Sequence, residues 1–163
     1  MRAAGFGGLI AAMSYLLPLF VHLLCAAFWV GGMALMHFAV RPAAVATLEP
    51  PLRLRMMAAT LRRFFVGVDA SVTLLFVTGV AMILATGGFR GVHWRVEAMM
   101  GIAIVMAAIY VYIRASVFRA MRRAVDDGAW PVAAGRLDLV RKLVSLNLVL
   151  GVAVFAVAVL GRG

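Results

Sequence analysis

The chain has 163 residues, of which 66% are hydrophobic and only 13% are charged, and its formal net charge is +10. With a mean hydropathy of +1.07, this composition excludes an ordinary soluble domain. The basic residues flank apolar segments, as they do in membrane proteins, and this distribution argues against a nucleic-acid partner. The composition therefore predicts that the protein lies in a lipid bilayer.

Four apolar segments are long enough to cross a hydrocarbon core of about 30 Å, which requires roughly 20 helical residues. They cover approximately residues 14–40, 64–86, 97–118 and 139–160. Helices in lipid must satisfy their own backbone hydrogen bonds and hold together through contacts between spans. We therefore predict an all-α fold, an integral membrane four-helix bundle that forms a single transmembrane domain over residues 1–163.

The distribution of basic residues predicts the orientation of this bundle. Of the 16 Lys and Arg residues, 12 lie in the first and third connections between spans. The positive-inside rule places these connections in the cytoplasm and both termini in the periplasm of a bacterium, in a multi-pass inner-membrane protein. The first connection, residues 47–63, contains Pro50-Pro51 and several arginines, and we predict a short basic helix on the membrane surface.

The first span carries most of the candidate metal ligands on one helical face. At about 100° per residue, this face is shared by His22, Cys25, Trp29, Met33 and Met36, with His37 at its margin. Gly31 and Gly32 lie off this face and would let another helix approach closely, which is compatible with a homodimer.

His22 and His37 predict two separate centres, because fifteen helical residues separate them by about 22 Å. At the outer centre, His22 and Cys25 are joined by residues that enter from the start of the third span, namely His93, Glu97, Met99 and Met100. Such ligands suit haem iron or Cu(I), although the methionines would equally serve as packing residues. At the inner centre, Arg63 and Arg141 could receive haem propionates or lipid phosphates, or could simply set the topology.

Two charged residues inside the spans predict a structural contact. Asp69 lies one or two turns inside the second span, and Arg114 lies at a comparable depth in the third. Because an unpaired charge at this depth is costly, we predict an ion pair between them. The functional alternative is a proton or cation relay through Asp69.

Several short motifs resemble those of a known family. They are His22, Trp29, Gly31 and Gly32 in span one, Arg41-Pro42-Ala43-Ala44 after it, Arg63-Phe64-Phe65 and Thr78-Gly79 in span two, and Arg141, Val144, Asn147 and Gly151 in span four. Over roughly residues 16–160 the chain resembles the CopD (copper resistance D) family and, more distantly, HemJ-type protoporphyrinogen oxidases. The resemblance implies copper movement with a periplasmic copper-binding or redox partner, or b-type haem held by the span-one histidine, which maps onto His22. Many relatives place a histidine or lysine in span three, where this sequence has Glu97, Tyr110 and Tyr112.

We favour haem b bound by His22 as the redox-active centre. The protein would then act in haem or copper handling or in membrane electron transfer, as a haem-dependent membrane oxidoreductase. The other predicted haem contacts are His93, Met99 or Met100 as second ligand, Trp29 against the ring, and Arg63 and Arg141 at the propionates. A second interpretation is a Cu(I) passage along Cys25, Met33, Met36 and His37. A third is a cofactor-free structural or assembly subunit. No phosphate-binding glycine loop or hydrolase constellation is present in the sequence, which argues against nucleotide and hydrolytic chemistry.

Overall fold

A computed structural model describes residues 3–89 and 92–161, with side chains from Met13 onward. Over this part of the chain the fold is helical, which confirms the predicted all-α class. The α-helices are α1 (Ala3–Leu35), α2 (Arg41–Thr47), α3 (Pro50–Ala85), α4 (Trp94–Tyr112), α5 (Phe118–Asp126) and α6 (Trp130–Leu160). Two π-helical segments, Met36–Val40 and Ile113–Val117, connect α1 to α2 and α4 to α5 without a break.

Four continuous helical stretches are long and apolar enough to span a membrane, as predicted. They are Met13–Thr47, Pro50–Ala85, Trp94–Asp126 and Trp130–Leu160. All four stretches are longer than the predicted spans, because the residues of the basic connections continue the helices. We call the end of the bundle formed by α2, α5 and the first turns of α3 and α6 the basic end.

The prediction of a separate surface helix in the first connection is wrong, because residues 50–63 form the first turns of α3. Pro50 and Pro51 occupy its first positions, where a missing amide proton costs little. Leu54, Met57 and Leu61 then recur at helical spacing and are buried against the bundle. This apolar face makes the segment a part of the core and not a layer on the membrane surface.

The bundle consists of two helical pairs. α3 packs along α1, and α6 packs along α4 and α5. Large, fully buried side chains lie where the pairs meet, among them Phe65, Phe118, Met33, Ile113 and Met121. Phe65 and Phe118 stack edge to face with ring centroids 5.0 Å apart.

The two glycines of span one do not share one open surface. A Cβ atom at Gly32 would stand 2.3 Å from the ring atom Cε2 of Phe64, so the glycine makes room for the chain's own second span. At Gly31 a Cβ atom would meet no described atom within 4 Å. The predicted homodimer contact would therefore have to use the Gly31 side of the helix alone.

Candidate metal site

The face that the sequence predicts on span one points into the bundle. Cys25, Trp29, Met33 and Met36 are buried, and His22 is half-buried. Met33 and Met36 belong to one core cluster with three further methionines from other helices: Met57, Met106 and Met121. The interior of this bundle is therefore rich in thioether groups.

His22 is held by a hydroxyl group of the second span. Its Nδ1 lies 2.9 Å from Thr78 Oγ1, and this hydroxyl donates its proton to the Leu74 carbonyl at 2.6 Å. Because a hydroxyl has only one proton, the His22 Nδ1–H must donate to Thr78 Oγ1. The free lone pair of the neutral imidazole is then on Nε2, which is the form that a metal ligand requires.

His37 is held in the same way by the fourth span. Its Nδ1 lies 3.1 Å from Ser145 Oγ, and Ser145 Oγ donates to the Arg141 carbonyl at 2.9 Å. The hydroxyl proton is again committed, so Nδ1–H of His37 donates, and in the neutral imidazole the lone pair is on Nε2. Both intramembrane histidines are thus fixed in one tautomer by a Ser or Thr hydroxyl.

Among the described residues, His22 makes no hydrogen bond with the residues predicted to join it at the outer centre. His93 is exposed, and its Nδ1 accepts hydrogen bonds from the backbone N and the Nε of Arg95, both at 3.3 Å. Met100 lies on an exposed face of α4, and Met99 is only half-buried. Over residues 3–89 and 92–161 no three His, Cys, Asp or Glu side chains gather into a group that could hold a metal.

The described residues around His22 do not support haem b. The imidazole packs directly against α3, where a Cβ atom at Gly79 would stand 3.4 Å from His22 Cε1. Of the predicted partners on span three, His93 and Met100 are exposed, and His93 bonds to Arg95.

His37 lines a small cavity of about 40 Å³ at the basic end. Two thioethers line it as well, those of Met36 beside His37 and of Met57 on α3. The remaining lining residues are Arg41, Leu61, Leu137, Val140, Arg141 and Val144. Imidazole and thioether are ligands that suit Cu(I), and the cavity has room for a single ion.

Each of the two π-helical segments carries one ionisable residue within a membrane span. His37 lies in Met36–Val40, and Arg114 lies in Ile113–Val117. A π turn widens the helix and rotates successive residues less, so Met36 and His37 can line one cavity although they are adjacent in sequence. Such local insertions occur frequently at functional sites.

Asp69 and Arg114 lie together, with Arg114 Nη2 at 3.4 Å from Asp69 Oδ2. Their side chains are 47% and 38% exposed, so the pair lies at the edge of the bundle. The Tyr110 hydroxyl contacts Asp69 Oδ1 and the Phe65 carbonyl, the latter at 3.1 Å. The Tyr110 ring also meets Trp29 edge to face at 6.1 Å, which connects this network to span one.

The two arginines predicted at an inner haem have different surroundings. Arg63 is exposed on α3, whereas Arg141 forms an ion pair with Asp138 and lines the His37 cavity. Lys142 Nζ lies 3.0 Å from the other oxygen of Asp138. One carboxylate of α6 is therefore shared by two cations of the same helix.

Sequence reasoning missed Met57, Thr78 and Ser145 as site residues. Met57 lies in the segment predicted as a surface helix, although its spacing from Leu54 and Leu61 indicates a buried face. Thr78 and Ser145 are hydroxyl residues in apolar spans, where they usually bond to their own helix. Nothing in the linear sequence indicates that each also faces a histidine.

Comparisons with known proteins give one family. No curated protein and no solved structure matches the chain. The family described as Copper resistance protein D (CopD) matches residues 58–160. The matched segment begins within α3 and covers spans two to four, so it leaves both span-one histidines outside. The chain therefore belongs to the CopD family and is a multi-pass inner-membrane protein related to copper resistance.

Proposed function

We propose that this protein binds Cu(I) inside its helical bundle and conducts it along span one, with Met36, His37 and Met57 as the binding site. Membership of a copper resistance family supports copper as the cargo. Inside a membrane span, thioether and neutral imidazole groups are the ligands that favour Cu(I) over harder cations.

The observation that carries this proposal is the cavity lined jointly by Met36, His37 and Met57. Each of the three residues brings a soft or borderline donor, and Met36 and Met57 are buried. Ser145 holds Nδ1 of His37, which leaves Nε2 as the ligand atom.

The charges around the cavity support transfer in preference to storage. Arg141 is offset by Asp138, but the Arg41 guanidinium has no ion-pair partner among the described residues, and its charge repels a cation in the cavity. Thioethers and imidazole are neutral and do not offset this repulsion. Conduction requires a site that an ion can both enter and leave.

The interior of span one offers further soft groups towards the opposite end. Met33 lies one turn from Met36 on the same buried face, and Cys25 lies two turns beyond it. Met106 of α4 stands beside Val30, since both contact the position where Gly151 has no Cβ. Met106 thereby occupies the level between Cys25 and Met33.

The test is an anaerobic Cu(I) titration of the purified protein in detergent, in competition with a chromophoric Cu(I) chelator. Met36→Leu and Met57→Leu preserve apolar volume and remove one sulfur each, and we expect each to weaken Cu(I) binding about tenfold. Met100→Leu is the matched control on an exposed face, and we expect less than a twofold change. Equal losses in all three variants, or no Cu(I) binding by the parent protein, would contradict the proposal.

An absorption spectrum of the same preparation tests the alternatives. A haem Soret band that disappears in His22→Ala would contradict Cu(I) conduction and would support haem b bound in the opposite half of the bundle. Absence of both copper and haem, together with tight association with another membrane protein, would favour an assembly subunit.

A further inference from the structure

A second cavity, of about 150 Å³, lies at the basic end where α2 and the first turns of α3 and α6 meet. Its charged lining residues are Arg41, Arg53 and Asp138. The others are apolar: Val45, Leu54, Met57, Ala134 and Leu137. At roughly 10–15 Å³ per water molecule, the space is large enough for a group of the size of phosphate.

The charges of this cavity do not balance. Among the described residues, the guanidinium groups of Arg41 and Arg53 make no ion pair and no hydrogen bond. The carboxylate of Asp138 is already shared by Arg141 and Lys142, one cation at each oxygen. Two free guanidinium groups in one cavity attract an anion, and their planar donors match the oxygens of phosphate.

We propose that this cavity binds the phosphate group of an anionic phospholipid, with Arg41 and Arg53 as the phosphate ligands. The position along the bundle favours a lipid over free phosphate. Arg41 directly follows the apolar Met36–Val40 segment, and Arg53 lies four residues, or about 6 Å, before Met57 on α3. With the hydrocarbon core ending near Met57, Arg53 lies in the headgroup layer, which extends about 5–7 Å beyond the core.

The apolar wall distinguishes a lipid from a soluble phosphate. Val45 lines the cavity and is nevertheless 50% exposed, so the cavity opens beside an apolar surface. An acyl ester could follow this surface into the bilayer, whereas inorganic phosphate would leave the wall unused. Basic pockets between spans on the cytoplasmic side are typical sites for lipid headgroups.

Occupation of this cavity also affects its neighbour. Arg41 lines both this cavity and the cavity of Met36, His37 and Met57. A phosphate on Arg41 would therefore lower the positive potential where we propose that Cu(I) binds. The lipid site itself rests on the geometry of the basic end and does not require the copper proposal.

The test uses the copper-free, full-length protein, delipidated in detergent and titrated with dioleoylphosphatidylglycerol while native mass spectrometry counts the bound lipid. We expect Arg41→Gln and Arg53→Gln each to weaken lipid binding about fivefold, which corresponds to about 1 kcal/mol per basic residue. Arg62→Gln is the matched control, since Arg62 is exposed on the same helix as Arg53 and does not line the cavity. The lipid affinity of Arg62→Gln should stay within twofold of that of the parent protein.

Three results would overturn the proposal. Dioleoylphosphatidylcholine binding as tightly as dioleoylphosphatidylglycerol would remove the requirement for net negative charge. Equal weakening by all three substitutions would indicate a general surface potential and no defined site. Displacement of the lipid by millimolar inorganic phosphate would assign the cavity to free phosphate. If circular dichroism shows that Arg41→Gln unfolds the protein, the half-exposed Arg53 decides the question alone.

Discussion

The two histidines of span one share one hydrogen-bond arrangement but lie in different surroundings. At both, a helical hydroxyl, Thr78 or Ser145, donates to the carbonyl four residues earlier on its helix and accepts from the imidazole Nδ1. Around His22 the helix is α-helical and the ring packs against Gly79. Around His37 the helix takes a π turn, and the ring borders a cavity with two methionines.

On our copper proposal, a fixed tautomer alone is not sufficient for a metal site. This hydrogen-bond arrangement needs only one Ser or Thr on a neighbouring span, because the hydroxyl donates to the carbonyl four residues earlier on its own helix. Room and additional ligands require the neighbouring helices to separate and their side chains to converge. In this bundle both conditions are met at the basic end, next to the π turn.

The strongest test of this comparison replaces each histidine separately. We expect His37→Gln to weaken Cu(I) binding about 100-fold, because it removes a central ligand, whereas His22→Gln should change it less than threefold. Anaerobic chelator competition measures both. A larger loss in His22→Gln would move the binding site to the opposite half of the bundle and break the comparison.

A second prediction separates the hydroxyl groups from the histidines that they hold. Removing a group that orients a metal-bound histidine typically costs 10- to 100-fold in affinity, and we expect about tenfold for Ser145→Ala. Thr78→Val preserves the side-chain shape and should leave Cu(I) binding within twofold, since it acts on His22. Metal content and affinity are measured in the same titration. Unchanged affinity in Ser145→Ala would mean that the hydroxyl bond is structural at both histidines.

The sequence predicts the four spans and the buried face of span one because both depend on the periodicity of a single helix. It does not predict which helices become neighbours. His93 was expected near His22, yet α4 packs along α6 while His22 faces α3. Met57 is not predicted as a site residue for another reason. A basic amphipathic segment shows the same sequence pattern on a membrane surface as in the extended end of a helical bundle.

The smallest expected effect concerns the polar network that lies between the two histidines. Tyr110 connects Trp29 of span one to Asp69, and Asp69 meets Arg114 at 3.4 Å. Because Asp69 and Arg114 are partly exposed, we expect a coupling energy of only about 0.6 kcal/mol, the average for interhelical polar contacts in membranes. A double-mutant cycle of Asp69→Asn and Arg114→Gln, followed by reversible unfolding, measures it.

The same variants show whether this network is structural or also functional. If it only holds spans two and three together, Cu(I) uptake into proteoliposomes should remain within twofold of the parent protein in both single variants. Zero coupling combined with a strong loss of uptake in Asp69→Asn alone would instead identify a proton or cation relay through this carboxylate. In that case the two halves of the bundle would differ in binding but depend on one shared charged residue for transport.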